Sequence, residues 1–142
     1  MRALTHRGSA WPLGGVARGN RPRIFTFGFT ESESAAIDAA LAAIRVPAPT
    51  RLAPSQGDVR VADIVERDAD GSGSIATAER LVLFANLPGE AVGNLVDYFR
   101  TIGVPRPIYA TVTETSASWT LAELLEHLAE EKRFHEAARE DA

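Results

Sequence analysis

The segment from Asp68 to Glu79 carries oxygen-bearing residues at the spacing of a twelve-residue EF-hand calcium loop. The residues that would supply oxygen ligands are Asp68, Asp70, Ser72, Ser74 and Glu79. Ser74 would contribute its backbone carbonyl, and Gly73 stands where such a loop turns sharply. Because calcium binds six to eight oxygen atoms, this spacing predicts a calcium site.

The surroundings of this segment favour a second interpretation. An EF-hand continues into a helix after its last ligand, whereas the residues after Glu79 have the apolar run of a strand. EF-hands also work in pairs, and the sequence contains one such loop. The alternative to a calcium site is an acidic linker, rich in Gly and Ser, that joins two halves of the chain.

A second polar segment, Thr113 to Thr120, combines five hydroxyl groups with an indole immediately before a predicted helix. With one residue from a neighbouring strand end, its candidate ligand-binding residues are Asn86, Thr113, Thr115, Ser116, Ser118, Trp119 and Thr120. In an open parallel sheet the carboxyl ends of the strands, here near residues 28–32, 55–60, 86–90 and 113–120, meet at one edge, where helix N-termini bind anions and polar groups. A small polar ligand or a partner protein is therefore predicted at this edge. The structural alternative is a capping box of Thr120 and Glu123, with Trp119 packed back onto the helix.

Few residues remain that could catalyse a reaction. With no cysteine, disulfides, thiolate nucleophiles and cysteine-ligated metals are excluded. His127, Glu131 and His135 recur every four residues and could share one helix face, where they could hold a metal. The neighbouring residues are almost all charged or small, so a solvated helix with local ion pairs is the simpler interpretation, and we do not expect an enzyme.

The composition is that of one globular domain. The chain has 142 residues and a net charge of −4, with 45% apolar residues. No apolar run is long enough to cross a membrane and no secretion signal is present, so a cytoplasmic location is expected. Residues 1–22 are basic, without acids, and are predicted to be a disordered leader. The rest is acidic, which argues against a nucleic-acid partner.

Apolar periodicity predicts four strands and four helices from residue 23 onward. The strands are expected at 23–29, 50–54, 80–84 and 108–112. Apolar residues spaced three and four apart predict helices near 31–44, 61–65, 90–102 and 121–128. The order of elements is therefore strand, helix, strand, helix, twice.

One constant shift along the chain aligns the two halves of the sequence. We call this shift, which equals the distance in sequence from Ile37 to Leu95, the repeat offset. It carries the helix residues Ile37, Leu41 and Ile44 onto Leu95, Phe99 and Ile102, and two prolines of each half coincide. With two extra residues allowed in the second half, 59–66 aligns with 119–126. We interpret this as an internal duplication with repeats at 23–67 and 80–131, a linker at 68–79 and a helical tail at 132–142. The predicted fold is α/β: two tandem β-α-β-α repeats forming a pseudo-twofold four-stranded sheet covered by helices.

The second repeat resembles a known bacterial family. The residues that carry the resemblance are Leu81 to Pro88, the helix 90–102, Pro105 to Thr113 and Trp119 to Leu125. Together they are similar to domain of unknown function 3783, over about residues 80–131. The chain departs from the family at Glu114, where proline is expected, and at Ser116, where asparagine is expected. The resemblance implies the fold of this half and assigns no activity.

These observations predict a non-enzymatic binding protein, with a regulatory role, that recognises a partner protein or a small polar ligand at Thr113 to Thr120. The alternative is a calcium-binding module at Asp68 to Glu79. In either case the fused repeats are expected to form a monomer with an internal pseudo-dimer.

Overall fold

The computed structural model describes residues 21–141. The leader predicted at 1–22 therefore lies outside the described residues, apart from its last two. The strands are β1 (Arg23–Phe27), β2 (Thr50–Arg51), β3 (Leu81–Ala85) and β4 (Ile108–Thr111). The α-helices are α1 (Glu31–Ala43), α2 (Val61–Arg67), α3 (Gly89–Phe99), α4 (Glu114–Ala117) and α5 (Leu121–Asp141), and a 3₁₀ helix spans Pro54–Asp58.

The four strands form one mixed sheet in the order β2-β1-β3-β4. The two outer pairs, β1 with β2 and β3 with β4, are parallel. The central pair, β1 with β3, is antiparallel, and Phe25 lies opposite Leu83 in its register. A mixed α/β fold with a four-stranded sheet and helices is thus confirmed.

The direction of the central pair corrects one expectation. An open parallel sheet would bring the carboxyl ends of all four strands to one edge, where a ligand would bind. This prediction is wrong, because the antiparallel pairing of β1 and β3 sends the two halves in opposite directions. The loop after β1, at Gly28, therefore lies at the opposite edge from the loop after β3, at Asn86.

Buried side chains form one apolar cluster on each face of the sheet. The first cluster joins strand residues such as Phe25 and Leu83 to helices α2 and α5. The second joins Ile24, Val82 and Phe84 to helices α1 and α3. Alternate residues of β1 and β3 point to opposite faces, and both strands are buried on both faces, which explains their continuous apolar sequences.

The ends of the helices have local causes. The Thr30 side chain accepts a hydrogen bond from the Glu33 amide and the Glu33 carboxylate accepts one from the Thr30 amide, which starts α1 with a capping box. Helix α2 stops after two turns because Asp68 takes a left-handed conformation, with φ of 53°. Helix α5 is three times as long as α2. In the described part of the chain, no helix combines the length and the apolar character needed to cross a membrane.

Candidate functional site

The segment Thr113 to Thr120, which we call the polar turn, follows β4 and contains the short helix α4. Its hydroxyl groups mostly bind one another and the backbone. The Ser116 hydroxyl, which is buried, accepts a hydrogen bond from the Thr113 amide at 2.9 Å, and the Thr113 hydroxyl accepts one from the Ser116 amide at 3.1 Å. The Ser118 hydroxyl donates to the Thr115 carbonyl at 2.8 Å. These bonds build the turn and leave few hydroxyl groups to surround a small polar ligand.

The end of the polar turn is a helix cap, as the structural alternative predicted. The Thr120 amide donates to the Glu123 carboxylate at 2.9 Å, and the Glu123 amide donates to the Thr120 hydroxyl at 3.2 Å. The hydrogen bond from the Thr120 amide is the main reason that the pKa of Glu123 lies below its usual value. The Trp119 ring packs against the first apolar cluster and stacks on the His127 ring, with 4.3 Å between ring centroids.

Asn86 follows β3 at the same edge of the sheet as the start of the polar turn. It adopts a left-handed conformation, with φ of 59°. Its side-chain amide donates to the Arg21 carbonyl at 3.1 Å. Asn86 therefore holds the chain that enters β1.

The linker, residues Asp68 to Glu79, forms neither helix nor strand and leads into strand β3 instead of a second EF-hand helix. The predicted calcium ligands at its two ends contact cationic side chains. The Asp68 carboxylate lies 2.6 Å from the Arg23 guanidinium, and the Glu79 carboxylate lies 2.8 Å from the Lys132 ammonium. Among residues 21–139, no group of three His, Asp or Glu residues is placed to hold a metal ion. The predicted calcium site stays untested, and these ion pairs do not favour it.

The linker packs closely on the 3₁₀ helix of the first half. The Gly73 amide donates to the Ser55 carbonyl at 2.9 Å, and the Ser72 amide donates to the Asp58 carboxylate at 3.1 Å. A Cβ atom at Gly73 would lie only 2.7 Å from the Asp58 nitrogen, and one at Gly71 would lie 2.5 Å from the Ser55 carbonyl oxygen. Close approach of two backbones therefore explains the glycines that resemble an EF-hand turn. Ser74 takes part in the same contact, because its carbonyl oxygen lies against Gly57.

Two further predicted residues are placed on the surface. Asp70 is exposed in the linker, and Thr115 is exposed on the polar turn.

The histidines of α5 do not form one cluster with the polar turn. His127 stacks on Trp119, whereas His135 and Glu131 line a groove of about 480 Å³ between α5 and the start of β4. No residue of the polar turn lines this groove.

Sequence reasoning missed the helical turn and the cap of the first half. Residues 53–60, which we call the first turn, include the 3₁₀ helix Pro54–Asp58 and the buried side chain of Gln56. The Gln56 side-chain oxygen accepts a hydrogen bond from the Ala53 amide at 2.8 Å, and its nitrogen donates to the Ala69 carbonyl at 2.9 Å. A glutamine three residues after a loop residue and before a helix is the available sequence signal for such a cap.

The family comparison concerns the second half of the chain. Residues 80–134 match the family model of DUF3783, a domain of unknown function. This segment contains β3, α3, β4, the polar turn and the packed part of α5. No curated protein and no solved structure matches the chain. The similarity of residues 80–134 to the DUF3783 family, predicted from the motifs of that half, is therefore confirmed.

Proposed function

We propose that this chain is a non-enzymatic interaction protein built from two tandem β-α-β-α repeats, which binds an extended stretch of polypeptide at the polar turn. Three sets of contacts support the repeats, and one contact in the first half supports the binding role. The polar turn would be the counterpart of the first turn, and the first turn holds the linker.

The register of the sheet supports the duplication. The repeat offset found in the sequence carries Phe25 onto Leu83, and these two residues are opposite one another in the central pair. The pair Arg23 with Ala85 is carried onto the pair Leu81 with Phe27, which is also observed. Two equal strands related by a twofold axis between Phe25 and Leu83 would have this register.

Hydrogen bonds outside the central pair agree with the same relation once the insertion in the second half is allowed. The Leu52 amide donates to the Thr26 carbonyl at 2.7 Å, and the Val112 amide donates to the Phe84 carbonyl at 2.8 Å. The repeat offset carries Thr26 onto Phe84. The offset enlarged by the two extra residues of the second half, which we call the enlarged offset, carries Leu52 onto Val112. The two outer strands therefore pair with their inner neighbours in the same way.

The two turns are also built alike. In the first turn the side chain of Gln56 accepts from the Ala53 amide, and in the polar turn the side chain of Ser116 accepts from the Thr113 amide. The enlarged offset carries Gln56 onto Ser116, and both side chains are buried. The turns meet at an antiparallel bridge between Arg60 and Thr120, which correspond to one another under the same offset.

The observation that carries the binding role is the linker on the first turn. That turn holds the linker through the Ser55 carbonyl and the Asp58 carboxylate, which accept hydrogen bonds from linker amides. The corresponding surface of the polar turn is exposed at Thr115 and Ser118. A turn that holds a segment of polypeptide in one repeat favours a polypeptide ligand in the other. The mutual hydrogen bonds of its hydroxyl groups weigh against a small polar ligand.

Site-specific photo-crosslinking tests this function. A photoreactive side chain is placed at position 118 on the polar turn and, as the matched control, at position 101, where the exposed Thr101 follows α3. We expect a crosslinked polypeptide from position 118 and none from position 101, and we expect Thr115→Arg to abolish the crosslink. Crosslinks that are equal from both positions, or that survive Thr115→Arg, would overturn the proposal.

Calcium binding by the linker remains the alternative prediction. We expect calorimetry to detect no heat with millimolar calcium and the melting temperature to stay unchanged, because Asp68 and Glu79 contact Arg23 and Lys132. The control is Asp70→Asn, which removes an exposed carboxylate of the loop. A calcium-dependent rise in melting temperature that Asp70→Asn abolishes would establish the calcium site instead.

A further inference from the structure

Strand β4 lies at the end of the sheet and pairs with β3 on one side. The Ile108 amide donates to the Arg80 carbonyl, just before β3, at 2.7 Å, and the Val112 amide donates to β3 itself at 2.8 Å. Successive residues of a strand point their amides to opposite sides, so the amides of Tyr109 and Thr111 point away from β3. Among residues 21–141, no strand pairs with β4 on this second side, which we call the outer edge.

A groove flanks the outer edge on each face of the sheet. The groove on the α5 side has a volume of about 480 Å³ and an apolar wall of Ile108 and Leu128. The groove on the α3 side has a volume of about 460 Å³ and an apolar wall of Phe99 and Val104. Three residues line both grooves: Arg106, Pro107 and Tyr109. A strand added at the outer edge would place its side chains in the two grooves in turn, because successive side chains point to opposite faces.

The grooves carry more positive than negative charge, although the chain as a whole has a net charge of −4. On the α3 side the charged lining residues are Arg100 and Arg106, and the described residues place no acid in that lining. Arg100 lies 3.8 Å from Asp97, whereas Arg106 forms no ion pair within residues 21–139. The α5 side has charges of both signs: Arg106, Lys132 and Arg139 with Glu131 and Glu136.

We propose that the outer edge of β4 binds an acidic polypeptide segment, which adds a fifth strand to the sheet. Its backbone bonds to the amides and carbonyls of Tyr109 and Thr111, and these bonds supply affinity without regard to sequence. Its alternate side chains supply specificity. Acidic side chains fit the α3 side beside Arg100 and Arg106, and apolar side chains fit the wall of the α5 side.

Two observations define what this surface is not. A second copy of β4 fits it less well than an acidic segment does, because residues 105–113 contain an arginine and no acid. The surface is also separate from the polar turn, no residue of which lines either groove. The proposal therefore goes beyond the proposed function and can fail without it.

Fluorescence anisotropy with labelled peptides and the full chain tests this surface. The probe is a peptide in which glutamate alternates with valine, and the matched control peptide has lysine in place of each glutamate. We expect the chain to bind the glutamate probe at least roughly tenfold more tightly than the lysine peptide, because the groove arginines attract the one and repel the other.

Two variants at position 111 separate backbone pairing from side-chain contact. Thr111→Pro removes an amide that points away from β3, which an edge strand tolerates, whereas Thr111→Ala keeps this amide. We expect Thr111→Pro to bind the glutamate probe about tenfold more weakly and Thr111→Ala to bind it as the original chain does. Urea unfolding of both variants checks that the sheet is intact.

Arg106→Glu reverses the charge that both grooves share. We expect this variant to prefer the lysine peptide to the glutamate probe, which is a gain of binding that a damaged fold would not produce. If Thr111→Pro does not fold, the preference of Arg106→Glu decides the question.

Three results would overturn the proposal. The first is that the original chain binds neither peptide, or binds both equally. The second is that folded Thr111→Pro binds the probe as well as Thr111→Ala does, or that Arg106→Glu keeps the original preference. The third is a dimer of the original chain in sedimentation that Thr111→Pro dissociates, because a second copy would then occupy the outer edge.

Discussion

The first turn and the polar turn have the same hydrogen-bond framework and different neighbours. Gln56 and Ser116 cap their turns in the same way, yet the linker packs on the first turn through Gly71 and Gly73. The second difference lies in the helix that follows each turn. Helix α2 ends at Arg67, whereas α5 continues to Asp141. The two turns are therefore shaped by the same hydrogen bonds. The halves differ in the segment that packs on each turn and in the length of the helix that follows it.

The largest effect is expected where the two halves share a core. Leu41 and Phe99, which correspond under the repeat offset, are both buried in the second apolar cluster. We expect Leu41→Ala to cost about 2–5 kcal/mol and Phe99→Ala about 3–5 kcal/mol in free energy of unfolding. Because both side chains lie in one cluster, each variant should unfold in a single urea transition. Separate transitions for the two halves would show that they are independent units and would break the comparison.

A smaller effect is expected at the contact between linker and first turn. Gly73→Val places a side chain against the Asp58 backbone, so we expect a loss of about 1–3 kcal/mol in urea unfolding. Gly93→Ala is the matched control, because a Cβ atom there meets nothing within 4 Å and the residue is inside α3. This control should gain roughly 0.5–1 kcal/mol. If Gly73→Val left the free energy of unfolding unchanged, the position of the linker would not depend on its close approach to the first turn.

The smallest effect concerns the cap of α5 and depends on pH. Thr120→Ala removes the hydroxyl that accepts from the Glu123 amide and should cost about 1 kcal/mol. The pKa of Glu123 is lowered in the folded chain, mainly by the hydrogen bond from the Thr120 amide. Its stabilising contribution is therefore present above the carboxyl's ordinary pKa and is lost as the pH falls through the lowered value.

The matching variant is Glu123→Gln, which can still accept the Thr120 hydrogen bond through its side-chain oxygen and carries no charge. Thermal unfolding followed from pH 7 to pH 3 should show a weaker pH dependence for Glu123→Gln than for the original chain. Identical pH profiles would show that the cap does not depend on the charge of Glu123. The cap of α5, like the caps of the two turns, would then depend on hydrogen bonds alone and not on charge.

Much of the fold could be predicted from the sequence, because apolar periodicity records which face of an element is buried. The strand at Leu81–Ala85, the helix stripe of α1 and the cap at Thr120 all follow from local patterns. Strand direction does not, since the same apolar run serves a parallel or an antiparallel neighbour. The prediction of a shared sheet edge is therefore wrong, although the strands themselves are recognised.

The candidate sites were harder to predict for two physical reasons. Glycines at Gly71 and Gly73 satisfy the EF-hand spacing and also the need for close backbone contact, so the pattern does not distinguish between them. The 3₁₀ helix Pro54–Asp58 and helix α4 are too short to show a period. The predicted helix at 121–128 and the predicted helical tail at 132–142 are parts of the one helix α5, whose residues after Ala129 are mostly charged or small and give no apolar stripe.

The central claim is that the two halves are repeats that meet at equivalent residues. One engineered disulfide at such a pair of residues tests it. Arg60 and Thr120 form a pair flanked by hydrogen bonds from Val61 to Trp119 and from Leu121 to Val59. Cα atoms in such a pair lie about 4.5 Å apart, which suits a disulfide, and the chain has no other cysteine.

We predict that a chain with Arg60→Cys and Thr120→Cys oxidises to an intramolecular disulfide, and that the bond raises the free energy of unfolding by about 4 kcal/mol over the reduced form. Failure of the two cysteines to join in the folded chain, with joining only after denaturation, would contradict the account.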